Sequence, residues 1–511
     1  MQGWFEFTVN GETRRVEGEG CFSTLLDYLD ANGFESVLLP RGAENPGSDA
    51  VLMLDVNGAG RPAYRLICSS LLPLPQAAGR RFITLEGLTN ADPPHPVAEL
   101  VRKHAPRLPH EAKAAIHLAL LEAWYRYDLL EPHQVAEGYA GFCFRSGGFR
   151  RLGAAAEELV ERVIAIRSEA DPNFAGGTPE ALAELRRRGA QAGVDPFQDA
   201  FSAPLAEEAE VSEPLSYVDS SSCRFYRPET IAEVQKLRIE YPEATISHSG
   251  LVLARNGADP AATISTAGIA EMRVILEHDD HFEIGAEVSL TLLAESLPES
   301  FESLRDTIES IECRAVRNQL TLAEHLLDSK RPPVLALPLY LAKAEFRTLS
   351  SDGEHHVSVP GYFKTRATRD EQSQQLLRSV ILPKEAAPEQ ARRTYVFGTG
   401  AANPNLIGAA GLSVELNDEG VVNSLRVAFA GFDSKLPVLR VNQLEEALAG
   451  KAWGEGAMEL GAKTLAEVEI QTFTDSTASA ETRQQLMNSA LRRFHRDCRL
   501  DKEAPEPTAK E

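Results

Sequence analysis

Six cysteines are the side chains of this sequence best suited to hold a metal or an iron–sulfur cluster: Cys21, Cys68, Cys143, Cys223, Cys313 and Cys498. No two of them stand as CxxC, and closely spaced thiolates are what such centres require. The spacing predicts separate, reduced thiols of a cytosolic protein. Glu277-His278-Asp279-Asp280-His281 also carries metal-capable groups. No further ligands follow at fixed spacing, so the segment reads as a solvated turn. Gly398-Thr399-Gly400 contains a GxG, without the third glycine or the strand-then-helix setting of a dinucleotide fingerprint. His110 and His117 could share a helix face, where a surface or core role outweighs ligation. No serine, cysteine or histidine arrangement suggests a nucleophile. The residues alone assign no catalytic group and no metal ligand.

The elements that would position any site follow from local patterns. Trp4 to Val9 alternates apolar and polar residues, Asn10-Gly11 is a hairpin turn, and Thr13 to Val16 continues as a second strand. Ser23-Thr24 caps a helix that Gly33 closes. Glu111 to Tyr127 places Ala115, Leu118, Leu121, Ala123 and Trp124 near helical spacing and predicts an amphipathic helix. Ala154 to Ser168 predicts another. Residues 169–222, rich in Pro, Gly, Ser and acid, predict a linker wrapped over the surface, with a short helix begun by Thr178-Pro179. Thr230 caps a helix through Arg238. Ser350 to Gly353 is a turn, and Glu354-His355-His356 after it predicts an exposed edge strand. The text after Leu500 reads as a disordered tail.

A chain of 511 residues, 43% of them hydrophobic, suggests about three or four domains with real cores. Its formal net charge of -23 excludes nucleic acid as a partner, because phosphate binding needs clustered Lys and Arg. The N-terminus lacks the basic and apolar regions of a signal peptide. No apolar run approaches the ~18–20 residues of a membrane helix. The expectation is a soluble cytoplasmic protein with no membrane partner.

Longer stretches resemble the Fe–S/FAD subunit of xanthine dehydrogenase-type molybdenum hydroxylases. The N-terminal part carries TLLDYL at Thr24 to Leu29, YRLICSSLLPL at Tyr64 to Leu74, FITLEGL at Phe82 to Leu88, and His95-Pro96-Val97. The middle carries RFYRP at Arg224 to Pro228, IGA at Ile284 to Ala286, and Arg317-Asn318-Gln319 before Thr321-Leu322. The last part carries LRVAFAGF at Leu425 to Phe432, the segment Pro437 to Trp453, and the segment Asp475 to Phe494. The resemblance implies an α+β multidomain chain. A β-grasp 2Fe-2S ferredoxin-like domain would span 1–90 and a helical 2Fe-2S-binding-like domain 91–168. After the linker, 169–222, a PCMH-type FAD-binding-like α+β domain would span 223–385. A C-terminal α+β domain of the CO dehydrogenase flavoprotein type would span 386–500, followed by the tail, 501–511.

Departures from the family pattern fall on its cofactor positions. Ala43, Ser48, Val51 and Ser70 stand where the first cluster has cysteines, with Cys68 off register. Leu108, Glu111, Phe144 and Ser146 stand at the positions of the second, with Cys143 off register. A [2Fe–2S] cluster needs thiolates on both irons, so neither cluster is expected. Two glycine turns hold the FAD pyrophosphate in the family, because only a bare backbone approaches phosphate closely. Here one reads Ser249-Gly250-Leu251-Val252, and the other has Leu320, Ala323, Glu324 and His325 in place of Gly, Gly, Gly and Asn. If FAD is bound at all, the resemblance assigns it to Ser249, Gly250, Arg317, Asn318 and Thr321. The expected function is a non-catalytic scaffold subunit that pairs with a molybdenum hydroxylase-like large subunit through Phe5 to Leu152. The alternative is a working FAD-dependent oxidoreductase subunit with altered flavin loops. A third reading, an assembly factor for a molybdoenzyme, differs in how long the complex lasts.

Overall fold

The computed structural model describes residues 3–35, 49–56, 61–108, 110–126, 129, 131–142, 149–170, 197–206, 214–257, 260–350, 353–368, 375–384, 391–398 and 406–503. The chain is an α+β multidomain protein, and its described residues form four sheets. No helix among the described residues is long and apolar enough to cross a membrane.

Strands β1 (Trp4–Val9) and β2 (Glu12–Glu17) form the expected hairpin. Asn10 and Gly11 join them at φ of 52° and 82°, the left-handed values that a twisted two-residue turn requires. Alternation turns Phe5, Phe7 and Val9 inward. With β3 (Ala50–Val56), β4 (Pro62–Cys68) and β5 (Arg81–Ile83) they make a sheet ordered β2-β1-β5-β3-β4, in which β1 and β5 run parallel. The helix Leu25–Ala31 starts in a capping box between Thr24 and Asp27.

Helices Pro96–His104, His110–Tyr125, Pro132–Tyr139 and Phe149–Ala170 follow. The second of these was expected to be amphipathic. Instead Ala115, Ile116, Leu118, Leu120 and Leu121, which point around its whole circumference, are all fully buried. It lies between β3 and β4 on one side and the other three helices on the rest, so from Ala114 to Tyr125 no face meets water. Within the stretch read as a linker, the described segment 197–206 is pinned to this bundle. The Tyr125 hydroxyl donates to the Asp199 carboxylate (2.7 Å), and the Tyr64 hydroxyl donates to Phe201 O (2.7 Å). Thr178-Pro179 and its helix lie outside the described residues.

The third region holds two sheets. Strands β6 (Leu215–Val218), β7 (Arg224–Arg227), β8 (Thr245–Ser247) and β9 (Ala262–Ser265) are ordered β6-β7-β9-β8, with β7 and β8 parallel to β9. The antiparallel sheet β10-β11-β14-β12-β13 comprises β10 (Ile275–Glu277), β11 (His281–Gly285), β12 (Glu345–Ser350), β13 (Gly353–Ser358) and β14 (Leu376–Pro383). His278, Asp279 and Asp280 form the β10–β11 hairpin turn, as a solvated turn predicts. Glu354-His355-His356 sits on the edge strand β13. One apolar core runs from β3 and β4 through the helical bundle into this region.

The last sheet, β15 (Ala391–Gly398), β16 (Leu406–Leu416), β17 (Val422–Ala430) and β18 (Val438–Arg440), is antiparallel in chain order. Helices Asn442–Leu448, Glu455–Glu467 and Ala480–Glu503 cover it around a separate core containing Phe429, Phe432, Leu444, Leu491 and Phe494. The final helix reaches Glu503, three residues into the stretch read as tail. Residues 504–511, and Thr399-Gly400 of the GxG, lie outside the described residues.

Candidate functional site

The two segments that the resemblance sets against glycine turns meet in space. The first follows β8. Gly250, at φ of 89°, turns the chain into the short helix Leu251–Asn256. The second is the helix Leu322–Leu327, whose N-cap Thr321 accepts the Glu324 N–H at 3.2 Å. The Glu324 side chain leaves the first turn of that helix and crosses to the Gly250 turn. Its carboxylate accepts the Gly250 N–H at 2.9 Å, the Val252 N–H at 3.5 Å and the hydroxyl of Ser249. Glu324 is 4% exposed. Burial pushes its carboxyl up from the ordinary value, with the Ser249 hydrogen bond and the nearby His248 opposing.

A buried polar network lies behind this contact. Gln76 Nε2, just before β5, donates to His248 O (3.1 Å) and to Ser265 Oγ (2.6 Å). His248 Nδ1 and the Thr266 hydroxyl both engage the Glu287 carboxylate. Gly250 packs on the segment after β4 as well, since a Cβ there would stand 2.7 Å from Pro73 Cγ. Ser249 and Gly250, two of the residues assigned by resemblance, are thus gathered around the Glu324 carboxylate, and Thr321, a third, caps the backbone N–H of the same residue.

Arg317 and Asn318, the other two, face elsewhere. They lie on the buried helix Arg314–Gln319. Asn318 Nδ2 donates to Leu66 O (2.7 Å), and Gln319 bonds both the N–H (2.9 Å) and the carbonyl (3.2 Å) of Cys68. The Arg317 guanidinium donates to Glu309 O and Glu312 O, both at 2.9 Å, and to the Glu137 carboxylate of the helical domain. This segment therefore ties the third region to the two N-terminal domains.

The cluster positions within the described residues are ordinary packing. Val51 is buried in β3 opposite Ile67. The Ser70 N–H donates to the Asp49 carboxylate (2.8 Å). Burial pushes the Cys68 thiol well up. Leu108 packs at the margin of the core. Ala43, Ser48, Cys143, Phe144 and Ser146, and the Glu111 side chain, lie outside the described residues. The expectation of separate thiols fails at one place. Cys21 and Cys223, 202 residues apart, meet beside Asp219. Sequence spacing cannot register a contact made by two loops of different domains.

Sequence reasoning flagged Glu324 only as a charge in the wrong place. Its bond to Gly250, and the roles of Gln76, His248 and Glu287, it did not find. The one available signal was a Thr-x-x-Glu spacing at Thr321, which reads as a helix start and says nothing of a second loop.

His325, beside Glu324, is buried and accepts the Leu335 N–H at 3.3 Å. Burial, aided by the Arg331 and Arg255 cations, pushes its imidazole down from 6.5 to about 3. The unfolded chain therefore takes up this proton before the folded chain does. The stability that neutral His325 contributes is full above about pH 6.5 and is lost as pH falls towards about 3. In urea denaturation, His325→Gln should lose less stability than the parent between about pH 6.5 and 4, by on the order of 3 kcal/mol. Parallel acid limbs in the two proteins would overturn this.

Comparison with known proteins gives the family setting. Residues 220–385 match the family model described as FAD binding domain in molybdopterin dehydrogenase. Residues 406–498 match the CO dehydrogenase flavoprotein C-terminal domain. Xanthine dehydrogenase of Emericella nidulans is 21% identical over 527 residues, covering 96% of this chain and 38% of the relative. Aldehyde oxidase 2 of Macaca fascicularis is 22% identical over 540 residues, with the same coverage of 96% and 38%. The chain spans 38% of the length of these relatives. Among solved structures, the carbon monoxide dehydrogenase from Hydrogenophaga pseudoflava that lacks the Mo-pyranopterin moiety aligns with a TM-score of 0.48 at 18% identity. That alignment covers 57% of this chain and 99% of that one.

Proposed function

Because this chain belongs to the molybdenum hydroxylase family and carries that family's FAD-binding-type region, we propose that it is a non-catalytic scaffold subunit. In this reading it is cytoplasmic, holds no 2Fe-2S cluster and no tight flavin, and pairs with a molybdenum hydroxylase-like large subunit. The observation that carries the reading is the Glu324 carboxylate on the Gly250 N–H and the Ser249 hydroxyl. A pyrophosphate would need those donors, and it would meet a carboxylate at close range in a desolvated place. Moving Glu324 aside would also leave a buried acid without its partners. The residues present do not fit the dinucleotide, so no step is routed through it.

The use of Arg317, Asn318 and Gln319 as interdomain ties supports a scaffold, since the same text holds three domains in register. The large-subunit contact would be made by Phe5 to Leu152, the ferredoxin-like and helical domains.

Purified protein should be colourless, with iron and acid-labile sulfide at background, and FAD titrated into it should show no micromolar binding. Near-stoichiometric FAD or near two irons per chain would overturn the reading. Affinity purification from the native host with mass spectrometry should recover a molybdenum hydroxylase-like subunit. Recovery of the chain alone would sink the partner.

The FAD-domain match favours a second reading, a flavin-binding electron-transfer subunit with altered loops. It requires Glu324 to be protonated, so that the acid donates to a phosphate, and burial pushes Glu324 in that direction. FAD affinity that rises steeply with acidity, and persists at lower pH only while Glu324 is present, would select this reading.

A further inference from the structure

We propose that Cys21, Asp219 and Cys223 form a binding site for a thiophilic divalent cation of the zinc class, which clamps the β-grasp domain to the flavin-type region. The two Sγ atoms and a carboxylate oxygen lie within 4.8 Å of one another. None of the three stands at a cluster or flavin position of the family pattern.

The site is assembled from two turns. Cys21 follows β2 and is fully buried. Asp219 and Cys223 bracket the tight turn between β6 and β7, in which Ser222 takes φ of 73°. The Asp219 carboxylate is held rigidly. One oxygen accepts the Ser221 N–H (2.8 Å), the Ser221 hydroxyl (2.7 Å) and the Cys223 N–H (2.9 Å). The other accepts the Cys21 N–H across the seam at 3.0 Å. The seam is closed on either side by Ser220 N–H to Gly18 O (3.3 Å) and by the Tyr217 hydroxyl to Glu19 O (2.6 Å). Cys21 is buried and Cys223 is partly buried at this seam. Cys21 Sγ donates to Cys223 O (3.4 Å), and Cys223 Sγ donates to Pro260 O (3.3 Å).

The separation of the three ligand atoms is within reach of one bound cation. Zinc takes sulfur at about 2.3 Å and carboxylate oxygen at about 2.0–2.2 Å, which places two tetrahedral sulfurs roughly 3.8 Å apart. Closure therefore takes no more than about 1 Å of side-chain movement. Burial, then the neighbouring Cys223 and Asp219, pushes the Cys21 thiol far above its ordinary value. A bound cation reverses that balance, because it deprotonates coordinating thiols outright. Binding one divalent cation replaces two S–H bonds by two metal–thiolate bonds and releases two protons to water. The Asp219 carboxylate is the third ligand, and a solvent molecule completes a tetrahedron. No electron changes hands.

The test uses the whole chain, reduced and stripped with chelator. Titration with Co(II) should give one equivalent of tight binding, with the charge-transfer absorption of thiolate–cobalt bonds, and Zn(II) should displace it. Cys21→Ser and Cys223→Ser should each weaken binding beyond the roughly 10–100-fold that loss of a mere outer-shell partner costs. A second readout needs no variant. Zn(II) should slow alkylation of Cys21 and Cys223 in the parent protein, read by peptide mapping, while leaving Cys498 unchanged. Absence of the charge-transfer band at saturating Co(II), its survival in both serine variants, or Zn(II)-independent labelling of the two cysteines would overturn the site.

Discussion

Arg314→Ala should remove about 3–5 kcal/mol of unfolding free energy, read from urea denaturation, because it strands buried carboxylates. The Arg314 guanidinium is 4% exposed and reaches the carboxylates of Glu122 at 3.1 Å and Glu295 at 2.7 Å, and the half-buried Glu137 at 3.6 Å. Arg65 (3.0 Å) and Arg126 (3.6 Å) also approach Glu295. Burial pushes the Glu295 carboxyl up, but Arg65, Arg314 and Arg126 outweigh it and hold it well below the usual carboxylate range. The network joins β4, the helical bundle and the helices Leu290–Ser296 and Arg314–Gln319, so its loss should loosen three domains together. Arg314→Lys should recover only part of the stability, since an ammonium cannot span carboxylates on separate elements as a planar fork does. A loss near zero for Arg314→Ala would mean that water already shares these charges.

Gly250→Ala should cost about 2–6 kcal/mol. A non-glycine residue held at φ of 89° carries strain of about 1–3 kcal/mol. The new Cβ would also stand 2.7 Å from Pro73 Cγ and 3.0 Å from its Cδ, an overpacking cost of about 1–3 kcal/mol. The two parts can be separated. Pro73→Ala in the same chain should return the steric share and leave the backbone share, and the double-mutant cycle measures the difference. Additive single effects would show that Pro73 does not press on the turn. The left-handed backbone and the approach to Pro73 give this glycine a structural role, so its presence does not by itself argue for flavin.

Local order was legible because its causes are local. Asn10-Gly11 demands left-handed backbone wherever it occurs, and β1 and β2 pair across it. Thr24 and Thr230 satisfy the amides of their own helices through capping boxes, so they mark helix starts without help from the rest of the fold. The α+β organisation and its family followed from long stretches of retained text. The helix His110–Tyr125 was read correctly as a helix and wrongly as one with a wet face, because burial on every side is decided by neighbours and not by its own spacing.

The site divides in the same way. That Glu324 stands where the resemblance puts a glycine is visible in one line of sequence. That its carboxylate closes on Gly250, 74 residues earlier, required two loops to be folded against each other. Arg317 and Asn318 keep the family's letters while bonding to Glu137 and Leu66 of other domains, since a side chain's type does not determine which surface is packed over it. Cys21 and Cys223 carry no spacing signal at all. Only the docking of β2 against the β6–β7 turn brings them to Asp219, because a long-range contact is set by the sum of many packed interfaces and not by any residue within it.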